Sequence, residues 1–136
     1  MAEKLMLEVV TPQKAVVSEE VQSVVAPGSE GEFGVLKNHT TFLTSLNAGA
    51  LKYIDSKGAT RYLFVNGGFA EVLPDKVTIL AESAERRRDI DLDRAEKAKQ
   101  RAEKRLADKS AKVDIIRAEA ALRRAIYRIN IKKSLK

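Results

Sequence analysis

The sequence predicts an α+β fold, in which an N-terminal antiparallel β-sandwich or barrel is followed by a C-terminal antiparallel two-helix hairpin. Short apolar runs separated by turn residues occupy the chain up to Ala84. Beyond Ala84, small apolar residues recur at steps of three and four, as on one face of a helix. Charge changes at the same point, because residues 1–84 hold seven Lys or Arg against ten Asp or Glu, whereas residues 85–136 hold eighteen against nine. We therefore expect two domains, residues 1–84 with a net charge of −3 and residues 85–136 with a net charge of +9.

The first domain contains a series of segments rich in β-branched and aromatic residues, which favour strands. They are residues 4–10, 16–25, 33–36, 42–46, 50–54, 61–65, 69–73 and 76–80. Pro27-Gly28-Ser29 and Pro74-Asp75-Lys76 predict turns between them. At Asn66-Gly67-Gly68 we expect a tight hairpin or a bulge, since Asn and Gly adopt positive φ at little cost.

The second domain carries two narrow apolar stripes, which predict two helices separated by a break at Asp108-Lys109-Ser110. The first stripe consists of Ala95, Ala98, Ala102 and Leu106, and the second of Ile115, Ala118, Leu122, Ala125 and Ile129. Asp89 or Asp91 is suited to cap the first helix. Burying a methyl-sized group contributes only about 0.8 kcal/mol, against about 1–2 kcal/mol of backbone entropy per ordered residue. We therefore expect the hairpin to be the mobile part of the protein and the β domain the fixed part.

Composition excludes several classes of function. The chain has no Cys and His39 is its only His, so it offers neither a thiolate nor a His-rich metal set. The glycines of residues 28–34 lack the spacing of a phosphate-binding loop, and the glutamates among them would repel phosphate. We expect no catalytic activity and no metal site. The N-terminus lacks the apolar stretch of a signal peptide, and no apolar run approaches the roughly 18 residues of a membrane span, so we expect a soluble intracellular protein.

The basic second domain contains a candidate anion site. On a helix that begins near Asp91, Arg94 lies one turn further on and Arg101 two turns beyond that on the same face. Arg124 and Arg128 are four residues apart on the second helix, and a hairpin can bring them near the first. Guanidinium groups and helix N–H groups together can bind an anion, while a carboxylate can accept from an adenine or ribose group. The alternative is a solvated helix face with ordinary salt bridges.

The chain resembles the ε subunit of bacterial and chloroplast F-type ATP synthases over nearly its full length. The resemblance is carried by VVTPQKAV (residues 9–16), GEFGVLKNHTTFLTSLNAGAL (31–51), FVNGGFAEVLPDKVTIL (64–80), AERRRDIDLDRAEKAKQRAEKRL (84–106) and RAEAALRRAIYRI (117–129). Each segment alone is a weak match to the family, but five matching segments in the same order identify it specifically. The family often has proline on either side of the position of His39, whereas Asn38 and Thr40 stand there in this chain.

This resemblance implies a non-catalytic rotor component that lies at the cytoplasmic face of the inner membrane through its complex, without inserting into the membrane itself. The family's β-sandwich docks on the γ subunit and the ring of c subunits, coupling proton flow to ATP synthesis. Its helical hairpin either folds or extends along γ into the catalytic α and β subunits and blocks ATP hydrolysis. The net charge of +9 on residues 85–136 suits an acidic loop of the catalytic β subunits.

Some members of the family also bind ATP, as a regulatory ligand rather than a cofactor, through an I/L-D-x-x-R-A motif. Ile90, Asp91, Arg94 and Ala95 match this motif in full, and the associated family positions fall on Glu85, Arg101, Arg124 and Arg128. The resemblance therefore implies that ATP holds the hairpin folded and that low ATP releases it to inhibit.

Two alternative functions follow from the residues alone. A basic helical hairpin is also a candidate nucleic-acid-binding module, but this one has a single aromatic residue, Tyr127, for stacking on bases, and acids interrupt its basic faces. We therefore expect no nucleic-acid partner. A small enzyme built on the sandwich is disfavoured by the single histidine.

Overall fold

The computed structural model describes residues 4–108 and 114–133. They form two compact units, a β unit that ends at Arg87 and a helical unit that begins at Arg88. The strands are β1 (Leu5–Val10), β2 (Ala15–Gly28), β3 (Gly31–Val35), β4 (Phe42–Asp55), β5 (Thr60–Leu73), β6 (Lys76–Ala81) and β7 (Ala84–Arg86). A short 3-10 helix (Arg87–Asp89) precedes α1 (Leu92–Ala107) and α2 (Ile115–Lys133). The predicted order, strands first and two helices after them, is confirmed.

The β unit is a barrel closed by pairing of its first strand on both sides. Its strands follow the order β1-β6-β5-β4-β2-β3, and β1 also pairs with β2, which completes the ring. The pairing of β1 with β6 is parallel, in the register Met6↔Lys76, and the other pairs are antiparallel. The sandwich or barrel prediction is therefore confirmed, with one parallel pair that local turn signals could not show. Each ring strand is paired on both sides along part of its length, and the part of β5 before Gly68 lies beyond its pairing with β6.

Two long strands replace four of the predicted short ones. β4 and β5 have 14 residues each and pair along nearly their whole length. The hairpin expected at Asn66-Gly67-Gly68 is wrong, because β5 continues through it. The register to β4 is the same before and after the glycines, at Ala48↔Asn66 and Leu46↔Gly68, so no bulge residue is inserted there.

The glycines of β5 do adopt positive φ, as their residue type predicts. Gly67 has φ 73° and Gly68 has φ 114°. A Cβ on Gly68 would lie 2.0 Å from the carbonyl oxygen of Leu80 in β6. Glycine is therefore needed here for the close approach of two strands and not for a turn.

The core of the β unit lies inside the ring, where alternate residues of the strands point inward. Leu7, Leu51, Leu63 and Ile79 have no exposed surface, and Val17 of β2 has 1%. Phe33 and Phe42 pack edge to face beside the core, with ring centroids 5.1 Å apart. Full burial of one such aliphatic side chain contributes about 1.5–3 kcal/mol.

The β unit extends three residues beyond the predicted boundary at Ala84. β7 pairs with β5 in the register Val65↔Ala84, Phe64↔Glu85 and Leu63↔Arg86. Glu85 and Arg86 thus belong to the sheet, although both are charged residues like many of those in the helical half. The reason is tertiary, because an unpaired edge of β5 supplies hydrogen bonds to any adjacent extended segment.

The helical unit is an antiparallel hairpin, as predicted. Lys133 Nζ lies 3.5 Å from Glu96 Oε1, and Lys132 Nζ donates to the carbonyl oxygen of Arg88 at 3.2 Å, so the end of α2 lies beside the start of α1. The buried residues of the two helices are Ala95, Ala102, Ala118, Ala125 and Ile131. Neither described helix is long and apolar enough to cross a membrane.

Two details of the predicted stripes differ from the structure. Ile115, the first residue of α2, is 58% exposed, and Ile131, which was not in the predicted stripe, is buried. The buried residues of α2 are Ala118, Ala125 and Ile131. The predicted break begins correctly at Asp108, whose backbone N–H caps the last carbonyls of α1. Lys109 and Ser110 lie outside the described residues.

Candidate functional site

The predicted nucleotide-site residues lie in both units. Glu85 is in β7 of the β unit, whereas Ile90, Asp91, Arg94, Ala95, Arg101, Arg124 and Arg128 are in the helical unit. Ile90 and Ala95, the apolar residues of the motif, are each 3% exposed. Arg94 and Arg101 are exposed, and Arg124 and Arg128 are half-buried. The motif therefore combines buried apolar anchors with accessible cationic side chains.

The motif residues also build the start of α1. Asp91 is the N-cap, with φ −87° and ψ 103°, and its Oδ1 accepts from the backbone N–H of Arg94 at 3.1 Å. Its carbonyl oxygen accepts from the N–H of Ala95 at 3.0 Å. The spacing of Asp, Arg and Ala is thus the spacing of a capped helix start. The Arg94 N–H is consequently occupied by Asp91 and is not available to an anion.

The ion pair between Lys133 and Glu96 indicates which arginines lie level along the hairpin. Arg128 precedes Lys133 by five residues and Arg101 follows Glu96 by five, so they lie at about the same level in an antiparallel pair. The same count places Arg124 level with Arg105, one turn further from the open end. We call Arg101, Arg105, Arg124 and Arg128 the arginine band. At about 1.5 Å rise per residue, the band begins roughly 15 Å along α1 from Asp91.

Arg105 is the residue of this band that the sequence pattern did not single out. It follows Arg101 by four residues and is exposed. The i,i+4 spacing of Arg101 and Arg105 can be recognised in the sequence. Its significance depends on the register between the two helices, which the sequence alone does not give. Four arginines on two adjoining levels concentrate positive charge along one stretch of the hairpin. The arrangement is therefore suited to a polyanionic ligand.

His39 has a local structural role. Its Nδ1 donates to the carbonyl oxygen of Thr40 at 2.8 Å, and its ring centroid lies 5.2 Å from that of Phe42. Asn38, the residue before His39, has φ 68°. Within residues 4–108 and 114–133, no cluster of three or more His, Asp or Glu is placed to hold a metal ion.

The β unit has an apolar patch that sequence analysis missed. Leu43, Phe69 and Leu80 are 70%, 56% and 54% exposed. Phe69 of β5 pairs with Leu80 of β6, and Leu43 of β4 pairs with Glu71, two residues from Phe69, so the three lie on one outer face. Each residue alone continues an apolar run of a predicted strand. The patch became recognisable only when the register aligned the three strands.

Comparison with known proteins identifies the family of both units. Residues 4–87 match the family described as ATP synthase, Delta/Epsilon chain, beta-sandwich domain, and residues 88–133 match ATP synthase, Delta/Epsilon chain, long alpha-helix domain. The family boundary between residues 87 and 88 coincides with the division of the structure.

Relatives and solved structures agree with this assignment. The chain is 66% identical to the ATP synthase epsilon chain of Desulforapulum autotrophicum over 131 residues, covering 96% of this chain and 97% of the relative. It is 58% identical to the ATP synthase epsilon chain of Nitratidesulfovibrio vulgaris over 132 residues, covering 97% and 98%.

A chain in the Euglena gracilis mitochondrial ATP synthase (OSCP/F1/c-ring) superposes with a TM-score of 0.80 at 26% identity, covering 90% of this chain and 78% of that one. A chain in the Tetrahymena thermophila ATP synthase central stalk and c-ring shares the fold, with a TM-score of 0.67 at 16% identity over 96% of this chain and 98% of that one. These matches show that the chain belongs to the epsilon subunits of F-type ATP synthases, which are non-catalytic subunits of the central stalk.

Proposed function

We propose that this epsilon chain docks through its β unit on the γ subunit and the c-ring, and regulates ATP hydrolysis through its helical unit. The observation that carries the proposal is the contrast between a closed barrel with a large aliphatic core and a hairpin whose buried residues are mostly alanines. The barrel suits a fixed attachment within the rotor. The hairpin suits a regulator with two positions. In this proposal the chain is a peripheral subunit, held at the cytoplasmic face of the inner membrane through the ATP synthase complex.

The apolar patch of Leu43, Phe69 and Leu80 supports docking of the β unit on a protein partner of the stalk. Contiguous exposed side chains of this size on one sheet face are typical of interaction sites. The test replaces Phe69 by Glu and measures rebinding of the full-length chain to epsilon-depleted ATP synthase. Thr60→Glu is the control, because it adds the same charge to an exposed position of β5. We expect at least tenfold weaker binding of Phe69→Glu alone; equal binding of both variants would exclude the patch as a docking surface.

For the helical unit we propose a regulatory ATP site formed by Ile90, Asp91, Arg94, Ala95 and the arginine band residues Arg101, Arg124 and Arg128. The role of Glu85, which lies in β7 of the β unit, stays a prediction from the resemblance. Arg124 and Arg128 are half-buried residues, which supports phosphate binding, because partial desolvation strengthens charge-assisted hydrogen bonds. The second carboxylate oxygen of Asp91 supports recognition of an adenine amino or ribose hydroxyl group. ATP bound in this way contacts both helices only while they are paired, so it shifts the population toward the folded hairpin.

Calorimetry on the full-length chain tests the ATP site. We expect wild type to bind ATP and both Arg94→Ala and Arg124→Ala to bind at least tenfold more weakly. Arg123→Ala is the matched control, because it removes the same side chain from the adjacent position of α2 and a different side of the helix. An equal loss in Arg123→Ala would indicate general electrostatic attraction in place of a site.

Removal of the helical unit tests regulation. Because β7 ends at Arg86, the chain should be truncated after Arg87 and not at the predicted boundary. We expect ATP hydrolysis by the reconstituted enzyme to rise several-fold while coupled synthesis is retained. Unchanged hydrolysis would refute inhibition by these helices and leave docking of the β unit unaffected.

A further inference from the structure

The side chain of Arg86 connects the last strand of the β unit to two others. Its Nε donates to the carbonyl oxygen of Val16 in β2 at 3.2 Å, and its Nη1 donates to the hydroxyl of Tyr53 in β4 at 3.3 Å. Its Nη2 lies 3.9 Å from Oε2 of Glu19, also in β2. One guanidinium group of β7 thus contacts both β2 and β4.

These contacts lie in a partly desolvated place. The Arg86 side chain is 25% exposed and Tyr53 is 1% exposed. Burial raises the pKa of the Tyr53 hydroxyl, and Arg86 opposes that shift, so the group remains a neutral phenol that accepts the bond. Charge-assisted hydrogen bonds are the stronger kind, and a buried hydroxyl left without its donor is unfavourable.

The backbone of β7 provides a weak attachment by comparison. Its three residues pair with β5 at Ala84, Glu85 and Arg86 only. Strands of this length form few ladder bonds and fray readily. The Arg86 contacts therefore strengthen the attachment of this short strand to the rest of the barrel.

The position of Arg86 in the chain gives this contact a consequence for regulation. The next residue, Arg87, begins the 3-10 helix and is the last residue of the β unit. We propose that Arg86 is a positioning residue for the regulatory movement of the helical unit: it ends the barrel at β7 and confines the pivot to residues 87–89. This inference rests on the proposed function, since it concerns how the helical unit is tethered when it moves.

Loss of the Arg86 contacts would release β7 and move the pivot back toward Ser83, whose carbonyl oxygen accepts from Asn66 N–H at 2.9 Å. The tether would lengthen by three residues, up to roughly 10 Å of extended chain. A longer and looser tether lowers the effective concentration of the helices at their docking site. Inhibition of ATP hydrolysis should then weaken although the helices themselves are unchanged.

The test begins with hydrogen exchange on the full-length chain. In Arg86→Gln we expect exchange of the peptide covering residues 84–87 to accelerate roughly tenfold, while β1 and β6 stay within twofold of wild type. Tyr53→Phe removes one of the acceptors and should give a smaller acceleration at the same peptide. Arg86→Lys, which cannot bridge both strands, should resemble Arg86→Gln. Unchanged exchange at residues 84–87, or equal acceleration throughout the barrel, would overturn the proposal.

The second measurement is ATP hydrolysis by epsilon-depleted enzyme reconstituted with the same full-length variants. We expect Arg86→Gln to recover at least half of the increase caused by truncation after Arg87, with coupled synthesis retained. If truncation raises hydrolysis and Arg86→Gln behaves as wild type despite rapid exchange at β7, the positioning role is refuted. If truncation itself has no effect, the proposed regulatory function fails, and the positioning role fails with it.

Discussion

The β unit and the helical unit differ in the size of the side chains that hold each together. The barrel buries whole aliphatic side chains such as Leu7, Leu51 and Leu63, contributed by three different strands. The buried residues of α1 and α2 are four alanines and Ile131. Because the hydrophobic contribution scales at about 25 cal/mol per Å² of buried apolar area, the barrel is the more stable unit. The comparison shows how the size of the buried side chains alone can give two units of one short chain different stabilities.

The largest expected effect is on the core of the barrel. Leu51→Ala should lower the free energy of unfolding of the β unit by about 2–5 kcal/mol, because the side chain is fully buried and leaves a cavity. Ala102→Gly in α1 should cost about 1 kcal/mol and act on the helical unit. Region-resolved hydrogen exchange measures both effects. If Leu51→Ala accelerated exchange in α1 and α2 as much as in the strands, the two units would not be independent.

The next effect concerns the cap of α1. Asp91→Ala removes the side-chain acceptor of the Arg94 N–H and should destabilise the helical unit by about 1 kcal/mol. Circular dichroism at the helix minimum, recorded without nucleotide, follows the loss of helix as urea increases. Asp93→Ala is the control, since Asp93 lies in the first turn but forms an exposed ion pair with Lys97 at 3.1 Å and no cap. A loss in the control as large as that in Asp91→Ala would show that charge, and not capping, matters.

A third prediction separates the units by pH. The Asp55 carboxylate accepts from Ala59 N–H and Lys57 N–H and from the Arg61 side chain. The hydrogen bond from Ala59 N–H is the largest cause that lowers the pKa of Asp55 below its ordinary 3.8. Burial opposes this effect, and the bonds from Arg61 and Lys57 add to it. A lowered pKa contributes stability that is present above the ordinary value and is lost as pH falls below it.

Asp55→Asn removes that titration. We expect the urea midpoint of wild type to fall between pH 5 and about pH 3 by more than that of the variant, and the difference to arise in the β unit. A difference confined to the helical unit would contradict the assignment. Thr60→Asn serves as the control for a neutral change near the same turn.

The smallest effect is at the open end of the hairpin. Lys133→Ala breaks the pair with Glu96, whose side chains are 60% and 44% exposed, so the expected loss is about 0.2–1 kcal/mol and should vanish at high salt. Lys97→Ala is the control, because its pair with Asp93 lies within one helix. Hydrogen exchange at the last turns of α2 should accelerate in Lys133→Ala only. Equal behaviour of the two variants would mean that this pair does not hold the helices together.

Most of the helical unit could be predicted because its signals are local. Asp91 as a cap depends on residues within one turn, and the stripe of Ala95 and Ala102 depends on the helical period. The level of Arg101 with Arg128 could not be predicted, since it depends on the register between two helices. The apolar patch at Phe69 and Leu80 was missed for the same reason, because it exists only across paired strands.

Hydrophobic period and charge were enough to divide this chain into a mildly acidic β half and a basic helical half, since both are written residue by residue. The pairings between distant segments could not be predicted in this way. The parallel contact of β1 with β6, the passage of β5 through Gly67 and Gly68, and the capture of residues 84–86 by β5 all arise from backbone groups that meet only after folding. A strand pairs with whichever strand edge lies beside it in the folded protein. That partner depends on segments far away in the sequence and not on the residues of the strand itself.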